Sequence, residues 1–240
     1  MITLENVERT YGIGSNLVHA LAGVTLQIDQ GEYLSIMGPS GSGKSTLMNI
    51  IGCLDRPSSG NYYFEGHEVG KLHDDARAQL RGKVFGFVFQ SYNLLPRLTA
   101  LEQVELPLMY QKIPNRQRRA AEALIQVGLK SRLYHHPNEL SGGEQQRVAI
   151  ARSLVVNPRI VVADEPTGAL DTRTGTEVME LLSSLVDKES ITVAVVTHEQ
   201  LVADYTRRII RMSDGKIAVS YTHLRAHETD SYLVCRLLLE

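Results

Sequence analysis

The 240-residue chain is predicted to fold as an α/β protein, a parallel sheet covered on both faces by helices with a helical lobe inserted into it. Three observations carry this expectation. Strand-like and helix-like segments alternate over most of the length. The runs "RIVVAD" and "ITVAVVTH" are almost continuously apolar, as strands buried on both faces are. From Thr99 to about Leu154 the character shifts to Ala/Leu/Glu/Arg-rich segments with helical spacing, which sets off a lobe at about residues 91–155.

Taken in order, "VTLQI" places Val24, Leu26 and Ile28 on one strand face, and "YLSIM" follows a turn at Gly31. "KSTLMNIIG" reads as a helix opening directly from a glycine-rich loop. "GNYYFEG" is a short strand between turn glycines, and "VFGFVFQ" a buried one. Three helices are expected in "TALEQVELPLMY", "NRQRRAAEALIQVG" and "GGEQQRVAIARSLV". The strand "RIVVAD", the amphipathic helix "TGTEVMELLSSLVDK" and the strand "ITVAVVTH" close the pattern. After about Ala218 no clear period is visible. Residues 219–240 are therefore expected to be a non-native extension rather than part of the domain, with a metal site at His223 and His227 as the alternative.

Composition narrows the function. The formal net charge is −2 with both signs interspersed, which lacks the basic footprint of a nucleic-acid binder. "RQRR" at 116–119 is read as a solvated helix face. Cys53 and Cys235 have no metal or redox spacing, which fits a reducing compartment. No secretory signal is visible, and no run approaches the ~18–20 apolar residues that span a bilayer. A membrane role would need the span from another polypeptide or a further segment.

"GPSGSGKST" (38–46) fits G-x-x-x-x-G-K-[ST], after a strand and before a helix. Gly41 and Gly43 let successive N–H groups turn inward toward phosphate oxygens, and the helix start adds positive potential. Lys44 is placed to bridge the β- and γ-phosphates and Ser45 to ligate Mg²⁺. At the end of "IVVADE", Asp164 can hold Mg²⁺ through water and Glu165 can polarise an attacking water.

The stretch "LSGGEQQR" (140–147) separates this chain from other users of such a loop. Ser141 and Glu144 form a helix capping box. A cap alone does not call for Gly142 and Gly143, which weaken a first helical turn by up to ~1 kcal/mol each. They make sense where backbone approaches a ligand. Since one nucleotide already has a phosphate loop, this helix start is inferred to face the γ-phosphate held by another subunit.

"LSGGEQQR" resembles the signature of ATP-binding-cassette ATPases, LSGGQ, with Glu144 where Gln is commoner. The resemblance covers about residues 1–218, and other family elements follow in order. It implies a P-loop NTPase core with an antiparallel β subdomain and a helical subdomain. It implies that Gly38, Pro39, Ser40, Gly41, Ser42, Gly43, Lys44, Ser45 and Thr46 cradle ATP, and that Tyr11 stacks on adenine. Gln90 resembles the loop glutamine that contacts Mg²⁺ and links core to lobe. Asp171 in "GALD" resembles the loop crossing the dimer interface, and His198 the switch histidine on the γ-phosphate. Glu165, His198, Gln90 and Lys44 are then the catalytic set, and Ser45, Gln90 and Asp164 the Mg²⁺ set. Two copies are implied to sandwich two ATP molecules head to tail, each site taking Ser141, Gly142, Gly143 and Glu144 from the other chain. "CLDRPSSGNYYFEG", "FGFVFQSYNLLPRLTALEQVELPLMY" and "ADEPTGALD" are similar to the lipoprotein-release and macrolide-export type. That likeness implies a peripheral subunit on the cytoplasmic face of a bacterial inner membrane. Its partner would be a permease with few membrane helices, docking near residues 91–110, where Leu94, Leu95, Leu98 and Leu101 cluster, about half of them expected in the lobe's core. A soluble cassette ATPase of DNA repair or translation, and a P-loop kinase, are the rival classes. The first expects coiled-coil insertions or two cassettes; the signature and His198 speak against the second.

Overall fold

A computed structural model of the protein describes residues 1–12 and 17–222. In chain order its elements are β1 (Ile2–Tyr11), β2 (Val18–Ile28), β3 (Tyr33–Met37), α1 (Lys44–Ile51), β4 (Ser59–Phe64), β5 (His67–Glu68), α2 (Asp74–Val84) and β6 (Phe85–Phe89). There follow α3 (Ala100–Tyr110), α4 (Arg116–Gln126), α5 (Gly142–Leu154), β7 (Ile160–Asp164), α6 (Thr172–Glu189), β8 (Thr192–Thr197), α7 (Gln200–Ala203), β9 (Arg208–Ser213) and β10 (Lys216–Thr222). One sheet, ordered β2-β1-β4-β5, is antiparallel throughout. The other, β10-β9-β3-β8-β7-β6, is parallel except for the edge strand β10.

Side-chain alternation divides the parallel sheet between two cores. Val161, Ala163, Val193 and Val195 point to a core shared with α3, α4, α5 and α6. Ile160, Val162, Ala194 and Val196 point to the opposite core, shared with α1 and the antiparallel sheet. This is why β7 and β8 read as unbroken apolar runs. The inserted helices share one continuous core with the sheet rather than having a separate one. Leu101 lies in that core, Leu94 packs against it, and Leu95 is exposed, so the leucine cluster is split between core and surface.

Two elements differ from the sequence expectation. No apolar stripe announces α2, because only Val84 of its residues is buried. The chain also does not lose regular structure at Ala218: Val219–Thr222 belong to β10, paired out to Thr222 opposite Arg208. Nearly all of β10 is exposed, so its sequence carries no inward-outward alternation. Its pairing comes from backbone bonds and from the turn at Asp214 and Gly215, both at positive φ (49° and 73°), the conformation tight hairpins favour. The expected metal pair, His223 and His227, lies outside the described residues.

Leu182 of α6 is fully buried, whereas Leu201 is exposed. Leu182→Ala is expected to cost ~2–5 kcal/mol and Leu201→Ala no more than ~0.5 kcal/mol, as read by urea unfolding midpoints.

Candidate functional site

β3, β8 and β7 lie side by side and end level, with Met37 opposite Thr197 and Val196 opposite Asp164. Their carboxyl ends therefore deliver the 38–46 loop, His198 and the Asp164–Glu165 pair to one edge of the sheet. A cleft of about 810 Å³ opens there, lined by Tyr11, Ser40, Gly41, Gly43, Lys44, Ser45, Thr46, Gln90, Asp164, Glu165 and His198. Gly38, Pro39 and Ser42 complete the loop, where the Ser42 N–H donates to the Pro39 carbonyl (3.2 Å).

The loop is built for an anion. Gly43 has φ 97°, and a Cβ there would lie 2.4 Å from the Ala20 carbonyl oxygen. It precedes α1 without any side-chain cap, so the first-turn N–H groups stay open. The buried Ser42 hydroxyl has no partner. Lys44 Nζ donates to the loop's own carbonyls at Gly38 and Pro39, each at 2.8 Å.

Beyond β7, Glu165 adopts a left-handed conformation (φ 48°), held by its N–H donating to the Val196 carbonyl (2.9 Å). Non-glycine residues in that region concentrate at functional sites. Its Oε1 lies 2.7 Å from His198 Nδ1, while its Oε2 is buried without a partner. Burial pushes the Asp164 carboxyl above the usual carboxylate range, Glu165 adds to this, and Lys44 opposes it. The hydrogen bond to Glu165 and its charge raise the His198 imidazole above its ordinary value. Gln90 follows β6 directly, and Gly168 leaves room for it, since a Cβ there would meet Gln90 Nε2 at 2.7 Å.

Ser141 and Glu144 form the expected box: Glu144 N–H donates to Ser141 Oγ (3.3 Å) and Ser141 N–H to Glu144 Oε2 (2.8 Å). Ser141 is exposed. Neither Ser141–Glu144 nor Asp171 lines the cleft. Asp171 caps α6, accepting from Thr174 N–H (3.1 Å) and Thr174 Oγ1 (2.7 Å). That bond holds Thr174 against α5: a Cβ on Gly143 would sit 2.1 Å from Thr174 Cγ2. Gly143 thus has a reason within the chain, the close approach of α5 and α6, besides any ligand.

Several supporting residues had no sequence signal. Gln146 Nε2 donates to the Pro166 carbonyl (2.6 Å), tying α5 to the loop after Glu165. Arg152 donates to the Tyr92 and Asn93 carbonyls (2.8 and 2.6 Å), tying the far end of α5 to the loop after Gln90. Asp55 accepts from Tyr11 Oη (2.7 Å) and pairs with Arg9 Nε (2.8 Å), and the Arg9 guanidinium stands 4.5 Å from the Tyr11 ring centre. One face of that ring is covered, the arrangement of a cation–π pair.

A phosphate loop between a parallel strand and a helix, with a carboxylate pair two strands away in the sheet, defines a P-loop nucleoside triphosphatase. Comparisons with known proteins narrow this. The family model described as ABC transporter matches residues 21–168. The ABC transporter ATP-binding protein YknY of Bacillus subtilis is 53% identical over 219 residues, covering 90% of this chain and 95% of that protein. The macrolide export ATP-binding/permease protein MacB of Wolinella succinogenes is 52% identical over 219 residues, covering 90% of this chain and 34% of that protein. A dimeric post-hydrolysis structure of the cassette MJ0796, from Methanocaldococcus jannaschii, bound to ADP and Pi, superposes with a TM-score of 0.84 at 47% identity, covering 92% of this chain and 98% of that one. The chain belongs to the ABC transporter family and is one of its ATP-binding, ATP-hydrolysing cassettes. Among the described residues, no helix is long and apolar enough to cross a membrane.

The raised imidazole gives the His198–Glu165 contact a pH sign. The attraction is complete below the ordinary histidine pKa and is lost as pH rises through the elevated folded value. Titration of the His198 ring proton by NMR is expected to show that elevation, and Glu165→Gln is expected to bring it back toward the ordinary value. An unchanged titration would mean the contact is absent in solution.

Proposed function

We propose that two copies of this chain close head to tail on two ATP molecules and power export or mechanical work in the cell envelope through a membrane permease. The observation that carries this reading is the incompleteness of the cleft. The phosphate loop, the acids and His198 share it, while the exposed start of α5, closed only by its own capping box, lies elsewhere on the surface. A surface that faces no nucleotide of its own can serve another copy's. The MJ0796 cassettes, solved as dimers, support the pairing of two copies.

In this reading Tyr11 stacks on adenine, and residues 38–46 take the phosphates. Lys44 leaves the Gly38 and Pro39 carbonyls for the β- and γ-phosphates. Ser45, Gln90 and Asp164 bring a hydroxyl, an amide and a carboxylate to one cleft, hard oxygen donors that fit Mg²⁺. Bound there, Mg²⁺ supplies charge neutralisation for the phosphates. Glu165, with its buried Oε2 free, orients a water and accepts its proton. His198 moves from Glu165 to the γ-phosphate, which frees Oε1 as well. Ser141, Gly142 and Gly143 of the partner subunit cap the γ-phosphate, and Asp171 lies where the copies cross.

For the permease, a groove of about 700 Å³ between α2, β6 and α3 supports docking near residues 91–110. Leu54, Phe87, Phe89, Leu106, Pro107 and Tyr110 line it, and Asn93 joins it to the Gln90 loop. A helix seated there rests on the segment whose glutamine reaches the nucleotide. The likeness to the macrolide export ATP-binding/permease protein MacB supports a cassette working with a permease as a peripheral subunit on the cytoplasmic face of a bacterial inner membrane.

Loss of a general base typically removes ~10²–10⁴ of rate. Glu165→Gln is therefore expected to bind ATP, dimerise durably and turn over that much more slowly. Retention of wild-type turnover would overturn the assignment. Adding Ser141→Arg is expected to leave ATP binding by the monomer intact and abolish dimerisation, followed by light scattering with ATP.

A further inference from the structure

Glu144 presents an electrostatic problem. It stands in the first turn of the helix whose start is read above as meeting a γ-phosphate, where the family pattern commonly carries a neutral glutamine. A carboxylate suits the positive end of its own helix, but it repels a second anion brought to the same end. Both its oxygens are committed: Oε2 accepts from Ser141 N–H (2.8 Å) and Oε1 from Arg132 Nε (2.8 Å). Arg132 comes from the turn after α4, and its Nη1 also lies 3.3 Å from His135 Nε2, so the guanidinium is held from two sides. Arg132 and the box at Ser141 hold the Glu144 carboxyl below its usual range, so it remains ionised and paired.

The box has a second effect. Ser141 Oγ accepts from Glu144 N–H, which leaves the hydroxyl proton for an outside acceptor. Glu144 thus orients the donor that a phosphate needs while carrying the charge that a phosphate avoids.

We propose that Arg132 is the counter-charge that lets an acid occupy this position. It is a positioning residue that cancels Glu144 at the subunit junction and so sets how tightly ATP joins the two copies. The proposal rests on the head-to-tail reading above.

The test is a double-mutant cycle in the Glu165→Gln chain, with ATP-dependent dimerisation followed by sedimentation. Arg132→Met is expected to leave ATP binding by the monomer unchanged. It should weaken the dimer about tenfold per site, hence about a hundredfold for two symmetry-related sites. The deficit should shrink as salt is raised. In a chain that also carries Glu144→Gln, Arg132→Met should cost little, because no charge remains to cancel. Arg132→Lys keeps the cation, guards against a folding failure, and should stay within a few-fold of the parent. An equal loss with and without Glu144→Gln would overturn the proposal and leave Arg132 a mere tether, as would undiminished dimerisation of Arg132→Met. If the Ser141→Arg chain still dimerises with ATP, the head-to-tail reading itself fails, whatever Arg132 does.

Discussion

The level, in-register pairing of β3, β8 and β7 is the constraint on which the site depends. Each strand contributes one segment of the cleft at or just past its end: the phosphate loop, His198 and the Asp164–Glu165 pair. A slip of one residue in any pairing would reverse that strand's faces between the two cores. Val161 and Ala163 belong to one core and Ile160 and Val162 to the other, so both cores resist such a slip. Packing on both sides of the sheet therefore determines where a carboxylate stands relative to a lysine.

Helix α5 carries that order outward. Gln146 fastens it to the loop after Glu165, Arg152 to the loop after Gln90, and Arg147 to Glu177 of α6. One helix thus holds both the segment next to the Glu165 carboxylate and the segment beside the apolar groove, while its exposed start presents Ser141. Both loops are tied to the same helix, which in the proposed reading would give a physical route for relating nucleotide state to a partner's position.

Much of the site was legible in the sequence because its pieces are local. The 38–46 loop, the acids ending β7 and the capping box at Ser141 each lie within a few residues, where spacing and chemistry are read together. The apolar runs of β7 and β8 were legible because both faces are buried. The helix α2 and the end of β10 were not, since neither buries a continuous face. Nor were Gln146, Arg152, Arg132 and Asp55, which act through partners distant in sequence, with no spacing that marks them. The glycine at 143 was read as an approach to a ligand, whereas the contact that the fold itself imposes there is with Thr174 of α6, far away in sequence.

The side chain of Lys44 is parked on the carbonyl oxygens of its own loop. Those oxygens act as ligands to the ammonium, so the cation is neither fully hydrated nor free to wander. In the proposed mode of ATP binding, phosphate oxygens would take over from those carbonyls, with little rearrangement entropy left to lose. The loop's curvature is thus braced from within by the ammonium group of its own lysine.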